Sequence, residues 1–343
     1  MTFEEIISKL KKRESLDPSE MTAGMEALVS GKLEDSRIEE FLVLLKEKGE
    51  TAPEITAAAL VMRAHAVRLP KQFTDLLDTC GTGADASHSV NVSTLVAIVA
   101  AGAGIRVAKH GNRSVSGVCG SADLLEMLGV KIDLSPEKIQ RCLEKTGFAF
   151  FFAPQFHPAT RFAMPARKKI KGKTIFNLLG PLSNPAGARF QLTGVYEKRL
   201  ILLFTEVMRG LGVQRALAVC GSDGMDEITT CGETFVSELS GSNINAYTIH
   251  PKDFGIPTAT AADLKCGSKE AALDSALRIL KGEPGPKADI VALNAAAAIY
   301  IVGKAKDLKE GLALSRKILA GKKAQNKMEE IISFTRSGEI LKK

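Results

Sequence analysis

From Pro70 onward the chain alternates short apolar runs with glycine-rich turns and alanine-rich helical stretches. This alternation is typical of an α/β domain, in which strands and helices succeed one another along the chain. Because ligands of open α/β sheets gather beyond the carboxyl ends of the strands, the loops that follow these runs should carry the functional residues. The candidate strands are Leu76–Thr79, Val107–Lys109, Phe148–Phe152, Arg189–Gly194 and Ala216–Val219.

Residues 1–70 follow a helical pattern instead. Apolar residues in the first segment recur every three to four positions, as on one face of a helix. Asp17 is expected to begin a second helix, Asp35 to cap a third that ends at Gly49, and Thr51 to open a fourth. We therefore predict an all-helical N-terminal unit, and we interpret the proline-containing segment 154–185 as an irregular connection between domains.

Composition narrows the class of protein. Hydrophobic residues make up 45% of the 343 residues and charged residues 25%, which is typical of a globular protein. The longest apolar runs, Leu95–Ile105 and Val291–Val302 with Asn294 inside it, are shorter than the roughly 20 residues that cross a membrane. No secretory signal is evident, and the six cysteines form no CxxC pair, so we expect a cytoplasmic protein with reduced thiols and no membrane partner.

Two glycine-rich loops are candidate anion sites. The first, Asp78–Asp85, runs toward a helix that begins near Asn91, whose free N–H groups would attract phosphate oxygens. The second, Lys109–Ser116, offers two cations, an amide and several hydroxyls. Neither loop has the spacing of a P-loop or of GxGxxG. On its own, the first loop would also be explained by a tight turn with an ordinary helix cap, and the second by a solvated basic loop.

Adjacent carboxylates follow the last candidate strand, at Asp226 and Glu227. Such oxygen ligands suit Mg²⁺, which commonly bridges a carboxylate and substrate phosphates. A helix capped by Asp223 with acids in its first turn would explain the same residues. In the connector, Arg167 could bind a carboxylate and His157 could border an aromatic ring, although a solvated basic face would also explain Arg167. No nucleophile–base pair is evident, so we assign no acid–base residue.

Taken together, these segments resemble the anthranilate phosphoribosyltransferases of tryptophan biosynthesis, a family with a nucleoside phosphorylase-like fold. The matching motifs keep the family's order and spacing: CGTGAD (80–85), NVST (91–94), KHGNRSVSG (109–117), GSADLLEMLGV (120–130), FHPA (156–159), RKKIKGKTIFNLLGPLSNP (167–185) and DGMDE (223–227). The resemblance implies a small helical domain at 1–70, completed by part of 154–185, and a large α/β domain at 71–343 with a central, mostly parallel sheet flanked by helices. It also implies a homodimer formed through the small domains.

The activity implied by the resemblance is Mg²⁺-dependent transfer of a phosphoribosyl group from phosphoribosyl pyrophosphate (PRPP) to the amino group of anthranilate. Mg²⁺ would be held by Ser93, Asp226 and Glu227. Anthranilate would face Gly81, His110, Asn112, His157 and Arg167. The residues implied to surround PRPP are Gly81, Ala84, Asp85, Ser89, Asn91, Val92, Ser93, Thr94, Lys109, His110, Gly111, Asn112, Arg113, Ser116, Gly117 and Ser121.

The sequence departs from the family pattern in both phosphate loops. Ala84 replaces a usual glycine, and alanine tolerates a positive φ poorly. Gly117 replaces a usual serine, which removes one hydroxyl donor. Two other functions stay open. One is a pyrimidine nucleoside phosphorylase-like enzyme. The other is a nucleic-acid-binding relative without transferase activity, favoured only by the net charge of +7 and the basic cluster 167–173, so we expect no nucleic-acid partner.

Overall fold

The computed structural model describes residues 2–83, 85, 87–114 and 118–338. Its N-terminal part is a bundle of four helices: α1 (Phe3–Lys11), α2 (Pro18–Val29), α3 (Asp35–Lys48) and α4 (Ala52–Ala64). Helix α2 begins as predicted, because the Asp17 carboxylate accepts hydrogen bonds from the N–H groups of Ser19 and Glu20. The expectation that Asp35 caps α3 is wrong. Glu34 occupies the cap position in extended backbone, and Asp35 lies in the first turn, where the helix dipole favours an acid.

A sheet of seven strands forms the centre of the larger part, in the order β3-β2-β1-β4-β5-β6-β7. Pairing is parallel from β3 to β5 and antiparallel from β5 to β7. The strands are β1 (Leu76–Asp78), β2 (Arg106–Gly111), β3 (Phe148–Phe152), β4 (Phe190–Gly194), β5 (Arg215–Gly221), β6 (Thr234–Ser240) and β7 (Asn243–Ile249). The five predicted strands are confirmed, with small shifts at their ends. The hairpin β6–β7 was missed, since most of β7 is exposed or half-buried and forms no apolar run.

Twelve further helices surround the sheet in the described part of the chain: α5 (Val92–Gly102), α6 (Ser121–Met127), α7 (Pro136–Thr146), α8 (Ala153–Phe156), α9 (Met164–Lys169), α10 (Ile175–Leu182), α11 (Leu200–Gly210), α12 (Ala261–Leu264), α13 (Lys269–Leu280), α14 (Pro286–Ile301), α15 (Leu308–Ala320) and α16 (Lys323–Ser337). Two short 3-10 helices lie at Pro158–Phe162 and Pro251–Phe254. In the described residues, no helix is long and apolar enough to cross a membrane.

The connector 154–185 is not irregular, as the sequence had indicated, but consists of α8, α9, α10 and a 3-10 helix. Three of its prolines, Pro154, Pro158 and Pro165, occupy the first or second position of a helix, where the missing N–H has no helical partner to lose. Residues of α9 and α10 share one apolar core with α1–α4 and α11. The second large core joins the sheet to α5 and α14. The chain thus has a small helical part and a larger α/β part, and the boundary at residue 70 remains a prediction.

Glu54 of α4 ties the helical bundle together. Its side chain is fully buried, and one carboxylate oxygen accepts a hydrogen bond from the N–H of Leu16 at 2.8 Å. The other oxygen accepts hydrogen bonds from Lys48 Nζ and from the N–H and hydroxyl of Thr51, each at 2.8 Å. Because Lys48 is also buried, removal of the carboxylate would leave an unpaired buried cation.

We predict that Glu54→Ala lowers the free energy of unfolding by about 3–5 kcal/mol, the cost of breaking a buried ion pair. The measurement is urea unfolding followed by circular dichroism. Glu26→Ala is the matched control, because Glu26 pairs with His65 on the surface and its loss should cost less than about 1 kcal/mol. Equal losses for the two variants would contradict the role given to Glu54.

Candidate active site

The site is a cavity of about 1110 Å³ at the carboxyl edge of the parallel strands. Strand β1 pairs with β2 on one side and with β4 on the other, so the chain order changes direction between β1 and β4. Loops diverge at such a point and leave a crevice between them. The loops after β1, β2 and β3, the segment 226–227 after β5, and parts of α9 and α10 line the cavity.

Two glycines allow the segment that carries Asp226 and Glu227 to approach the sheet closely. A Cβ atom on Gly194, the last residue of β4, would overlap the carbonyl group of Asp226. A Cβ atom on Gly81 would lie 2.7 Å from Asp226 Oδ2, which accepts a hydrogen bond of 2.7 Å from the N–H of Gly83. The β5–β6 connection therefore packs directly against the ends of β1 and β4. It contains no helix, so the alternative of a helix capped by Asp223 is wrong.

Three carboxylates meet in this crevice. Burial, with the nearby charge of Asp85, raises the pKa of Asp226 to about 8. Burial and the charge of Asp226 raise the pKa of Glu227 well above its usual value, and Lys109 opposes this shift. Carboxylates that repel one another in a buried site are stabilised by a cation that can bind them together.

Ser93 and Lys109 lie against the same acids. The N–H of Ser93, in the first turn of α5, donates a hydrogen bond of 3.1 Å to Glu227 Oε1. Lys109 is almost completely buried, and its Nζ donates to Ser93 Oγ at 3.3 Å and to the carbonyl of Thr79 at 3.2 Å. The N-terminal end of α5, predicted as a phosphate site, is thus partly occupied by Glu227.

The donor set fits a divalent cation. Asp226, Glu227 and the hydroxyl of Ser93 supply hard oxygen ligands, and the raised carboxylate pKa values show that Lys109 alone does not neutralise the acids. Among the described residues, no group of three or more His, Cys, Asp or Glu side chains is arranged to hold a metal. Substrate or water oxygens would therefore have to complete the coordination, as is common for Mg²⁺.

The loop after β2 is closed by hydrogen bonds. Asp123 of α6 accepts from the N–H groups of Ser114 at 3.1 Å and Gly120 at 2.9 Å. Arg113 pairs with Glu126 and lies 3.6 Å from Asp123, and its guanidinium lies over the ring of Phe152. In this structure Arg113 therefore lines the cavity while its charge is bound by acids of α6.

Two histidines also line the cavity. His110 and His157 are buried with their rings 5.1 Å apart, and His110 Nδ1 lies 2.9 Å from the carbonyl oxygen of Gly180 in α10. Burial is the main cause that lowers the pKa of His110 to about 3 and that of His157 to about 4. Both rings are neutral at pH 7, which suits an aromatic ligand better than an anionic one.

Arg167 of α9 also lines the cavity and carries a positive charge. Its guanidinium lies 4.8 Å from the centre of the Phe176 ring, and burial lowers its pKa. Within the described part of the chain, its guanidinium donates only to Met164 Sδ, a weak acceptor, at 3.7 Å. The charge is thus able to accept a carboxylate as a partner.

The structure brings the described predicted residues to one cavity. These residues are Gly81, Asp85, Ser89, Asn91, Val92, Ser93, Thr94, Lys109, His110, Gly111, Asn112, Arg113, Ser121, His157, Arg167, Asp226 and Glu227. Ala84, Ser116 and Gly117 lie outside the described residues. Thr94 Oγ1 and His110 Nε2 are buried without a hydrogen-bond partner in the described part of the chain, so a bound ligand could satisfy them.

Three residues that shape the site but have no ionisable side chain were not singled out from the sequence. Gly194 permits the approach of Asp226, and Gly180 presents a carbonyl to His110. Asn184 donates to Asp78 Oδ2 and to the carbonyl of Ala108, both at 2.7 Å, and so joins β1 to β2. For these residues the only signal in the sequence was Gly194 at the end of a predicted strand. A glycine in that position is not specific for a close backbone contact.

Comparison with known families places the chain among glycosyl transferases. Residues 4–66 match the family described as "Glycosyl transferase family, helical bundle domain", and residues 73–325 match "Glycosyl transferase family, a/b domain". The anthranilate phosphoribosyltransferase of Desulfatibacillum aliphaticivorans is 44% identical over 97% of this chain and 98% of its own. That of Alkalilimnicola ehrlichii is 46% identical over 94% of this chain and 95% of its own.

Solved structures of the same kind share the fold. The crystal structure of the anthranilate phosphoribosyltransferase of Thermus thermophilus superposes with a TM-score of 0.91 at 42% identity, covering 97% of this chain and 99% of that one. The Saccharomyces cerevisiae enzyme, solved in complex with PRPP and Mg, gives a TM-score of 0.90 with 98% of each chain covered. At 23% identity, this second likeness shows the fold alone.

The neutral histidines predict a pH effect on stability. The pKa of His157 is about 4 in the folded protein and roughly 6.5 in an unfolded chain. Below pH 6.5 the unfolded state therefore binds more protons than the folded state. The free energy of unfolding of the wild type should fall, relative to that of His157→Gln, by up to about 3 kcal/mol between pH 7 and pH 4. Urea unfolding at each pH measures the difference, and a constant difference would contradict a buried neutral His157.

Proposed function

The chain belongs to the glycosyl transferase family that includes the anthranilate phosphoribosyltransferases, and we infer that it transfers the phosphoribosyl group of PRPP to the amino group of anthranilate. The products are N-(5-phosphoribosyl)anthranilate and pyrophosphate, a step of tryptophan biosynthesis. The observation that carries the proposal is one cavity lined both by the buried acids Asp226 and Glu227 and by Arg167, which lies over the ring of Phe176. The acids suit metal-bound pyrophosphate, and Arg167 suits the carboxylate of an aromatic acid.

The loops after β1 and β2 would hold PRPP. Lys109 supplies a buried positive charge, and Thr94 a buried hydroxyl that has no partner in the described residues. Asn91 joins the two loops, because its Nδ2 donates to the carbonyl of Cys119 at 2.7 Å. The proposed PRPP contacts are the residues named for that role above. For Arg113 to bind phosphate, its guanidinium would have to exchange Glu126 for the ligand.

Mg²⁺ would be held by Ser93, Asp226 and Glu227. Their oxygens fit the ion in number and kind only when the phosphates of PRPP or water complete the set. When bound, Mg²⁺ neutralises charge that develops on the departing pyrophosphate. Lys109, which already contacts Ser93, lies where it can bind the same oxygens.

Anthranilate would lie between Arg167 and the two histidines, bordered by Gly81 and Asn112. Arg167 would bind its carboxylate with two parallel hydrogen bonds, and the neutral rings of His110 and His157 would border its aromatic ring. Its amino group would then face the ribose carbon C1 of PRPP. Such positioning supplies a large part of the rate acceleration of a two-substrate reaction.

The reaction needs no strong base. A bond forms between the anthranilate nitrogen and C1, the bond from C1 to the pyrophosphate oxygen breaks, and the nitrogen loses one proton. An arylamine is nucleophilic without prior deprotonation, which agrees with the lack of a nucleophile–base pair noted in the sequence. The residues would therefore act by orienting the substrates and by neutralising charge on the leaving group.

The two other functions are less well supported. A nucleoside phosphorylase-like enzyme would have no evident use for the buried acid pair Asp226 and Glu227. For a nucleic-acid-binding relative, the basic cluster 167–173 would have to face solvent. Only part of the cluster does: Lys168, Lys169 and Lys171 are exposed, but Arg167 lines the cavity over Phe176, and Lys173 lies 3.0 Å from the centre of the Tyr196 ring.

We also propose a homodimer formed through the helical part, and a cytoplasmic location. The resemblance supports the homodimer. All six cysteines are free thiols, which is typical of proteins in a reducing compartment.

Replacing both acids should abolish turnover. In Asp226→Asn with Glu227→Gln, each side chain keeps one oxygen but loses its negative charge, so kcat should fall by about 1000-fold or more, a loss of several kcal/mol of charge stabilisation. The assay follows the loss of anthranilate fluorescence with PRPP and Mg²⁺. The control is Glu233→Gln, an exposed acid in the same connection. Near-normal Mg²⁺-dependent rates in the double variant would refute the metal role.

Arg167→Ala should weaken anthranilate binding selectively. Loss of a charged, paired contact of about 1.5–3 kcal/mol raises KM for anthranilate roughly 10- to 100-fold, whereas KM for PRPP should change less than about threefold. Steady-state kinetics with each substrate varied in turn measure both constants. Lys168→Ala, its exposed neighbour, is the control. Equal effects on the two substrates would reject the assignment.

A further inference from the structure

Asn294 is an amide buried in the apolar stretch of α14. It interrupts the apolar run 291–302 of α14, and the residues from Ile290 to Ile299 are buried. Asn294 itself is completely inaccessible to solvent. A buried amide is costly unless its donors and acceptor are satisfied, so its presence there calls for partners.

Two of the three hydrogen bonds of this amide are made with one residue, Ile228. It lies in the β5–β6 connection, which carries Asp226 and Glu227 and is called the acidic connection below. Asn294 Oδ1 accepts a hydrogen bond of 2.9 Å from the N–H of Ile228, and Nδ2 donates to the carbonyl of Ile228 at 2.8 Å. The second Nδ2 hydrogen goes to the carbonyl of Ile290, one turn earlier, at 2.9 Å. The amide thus holds both backbone groups of Ile228 from a rigid helix in the core.

Ile228 directly follows Asp226 and Glu227 in a connection with no helix or strand of its own. On one side the Asp226 backbone packs against Gly194. On the other, Thr229 Oγ1 donates to Asp223 Oδ2 at 2.7 Å and closes the turn. Asn294 therefore fixes the backbone between these two anchors, one residue from Glu227.

We propose that Asn294 is a positioning residue that sets the backbone of Asp226 and Glu227 so that their carboxylates bind a divalent cation together. The inference rests on the proposed metal role of those acids. The connection has no helix or strand of its own, so without this bridge its backbone could move and separate the two carboxylates. The amide prevents this, and the cation then meets ligands already in place. Residues that orient metal ligands in this way commonly affect metal affinity by roughly 10- to 100-fold.

The test compares three variants of the full chain. Asn294→Leu keeps the approximate volume and removes all three hydrogen bonds, and Asn294→Ser keeps a small polar group that cannot bridge both backbone groups. The control is Ser315→Ala, which removes a buried hydrogen bond of 2.8 Å to Ala292 of the same helix without touching the acidic connection. Thermal unfolding by circular dichroism sets a working temperature at which all variants are folded.

The main measurement is Mn²⁺ binding without substrates, followed by the loss of the free-ion paramagnetic resonance signal. We expect Asn294→Leu and Asn294→Ser to raise the Kd roughly 10- to 100-fold, and Ser315→Ala to leave it unchanged within twofold. In the fluorescence assay, the same variants should need correspondingly more Mg²⁺, with KM for anthranilate unaltered. A purely structural amide would lower the unfolding temperature and leave the Mn²⁺ Kd unchanged.

The outcomes separate this inference from the proposed function. If the wild type turns over the substrates and the Asn294 variants bind Mn²⁺ with the same Kd as the wild type, only the positioning role is overturned. A wild type that neither binds Mn²⁺ nor shows transfer overturns both. If Asn294→Leu does not fold, Asn294→Ser decides: an unchanged Kd in that variant overturns the positioning role.

Discussion

The close packing of the Asp226 backbone against Gly194 is the contact on which the site depends. A side chain at position 194 would overlap the Asp226 carbonyl, so the end of β4 accepts only glycine without rearrangement. This contact brings the β5–β6 connection to the place where the strand order changes direction between β1 and β4. Loops after β1 and β2 reach the same place because parallel strands end together at one edge of the sheet.

Burial of several acids at this edge sets the electrostatics of the cavity. The pKa values of Asp226 and Glu227 rise because water is excluded and the charges repel, and Lys109 compensates only in part. The same cavity is also lined by the neutral rings of His110 and His157 and by the cation Arg167. Such a lining can hold an anionic donor with its metal together with an aromatic acid. Its chemistry then follows from orientation and charge neutralisation.

Residues with a strong local signal were predictable from the sequence. The loop residues that line the cavity, such as Lys109 and Arg167, stand in motifs whose spacing is specific, and five strands were recognisable as apolar runs. Contacts that depend on tertiary packing were not. The hairpin β6–β7 lacks an apolar run. The prolines of 154–185 suggested irregular structure, although three of them lie in the first turn of a helix, and Asn294 lies 66 positions from Ile228 in the chain.

Transfer by the wild type, with and without chelator, tests the central claim most directly. The protein is mixed with anthranilate, PRPP and Mg²⁺, and the decay of anthranilate fluorescence is followed before and after chelation of the metal. The account predicts a decay that stops when the metal is removed and resumes when it is restored. A folded protein that leaves the fluorescence unchanged, or a decay that ignores the chelator, would contradict it.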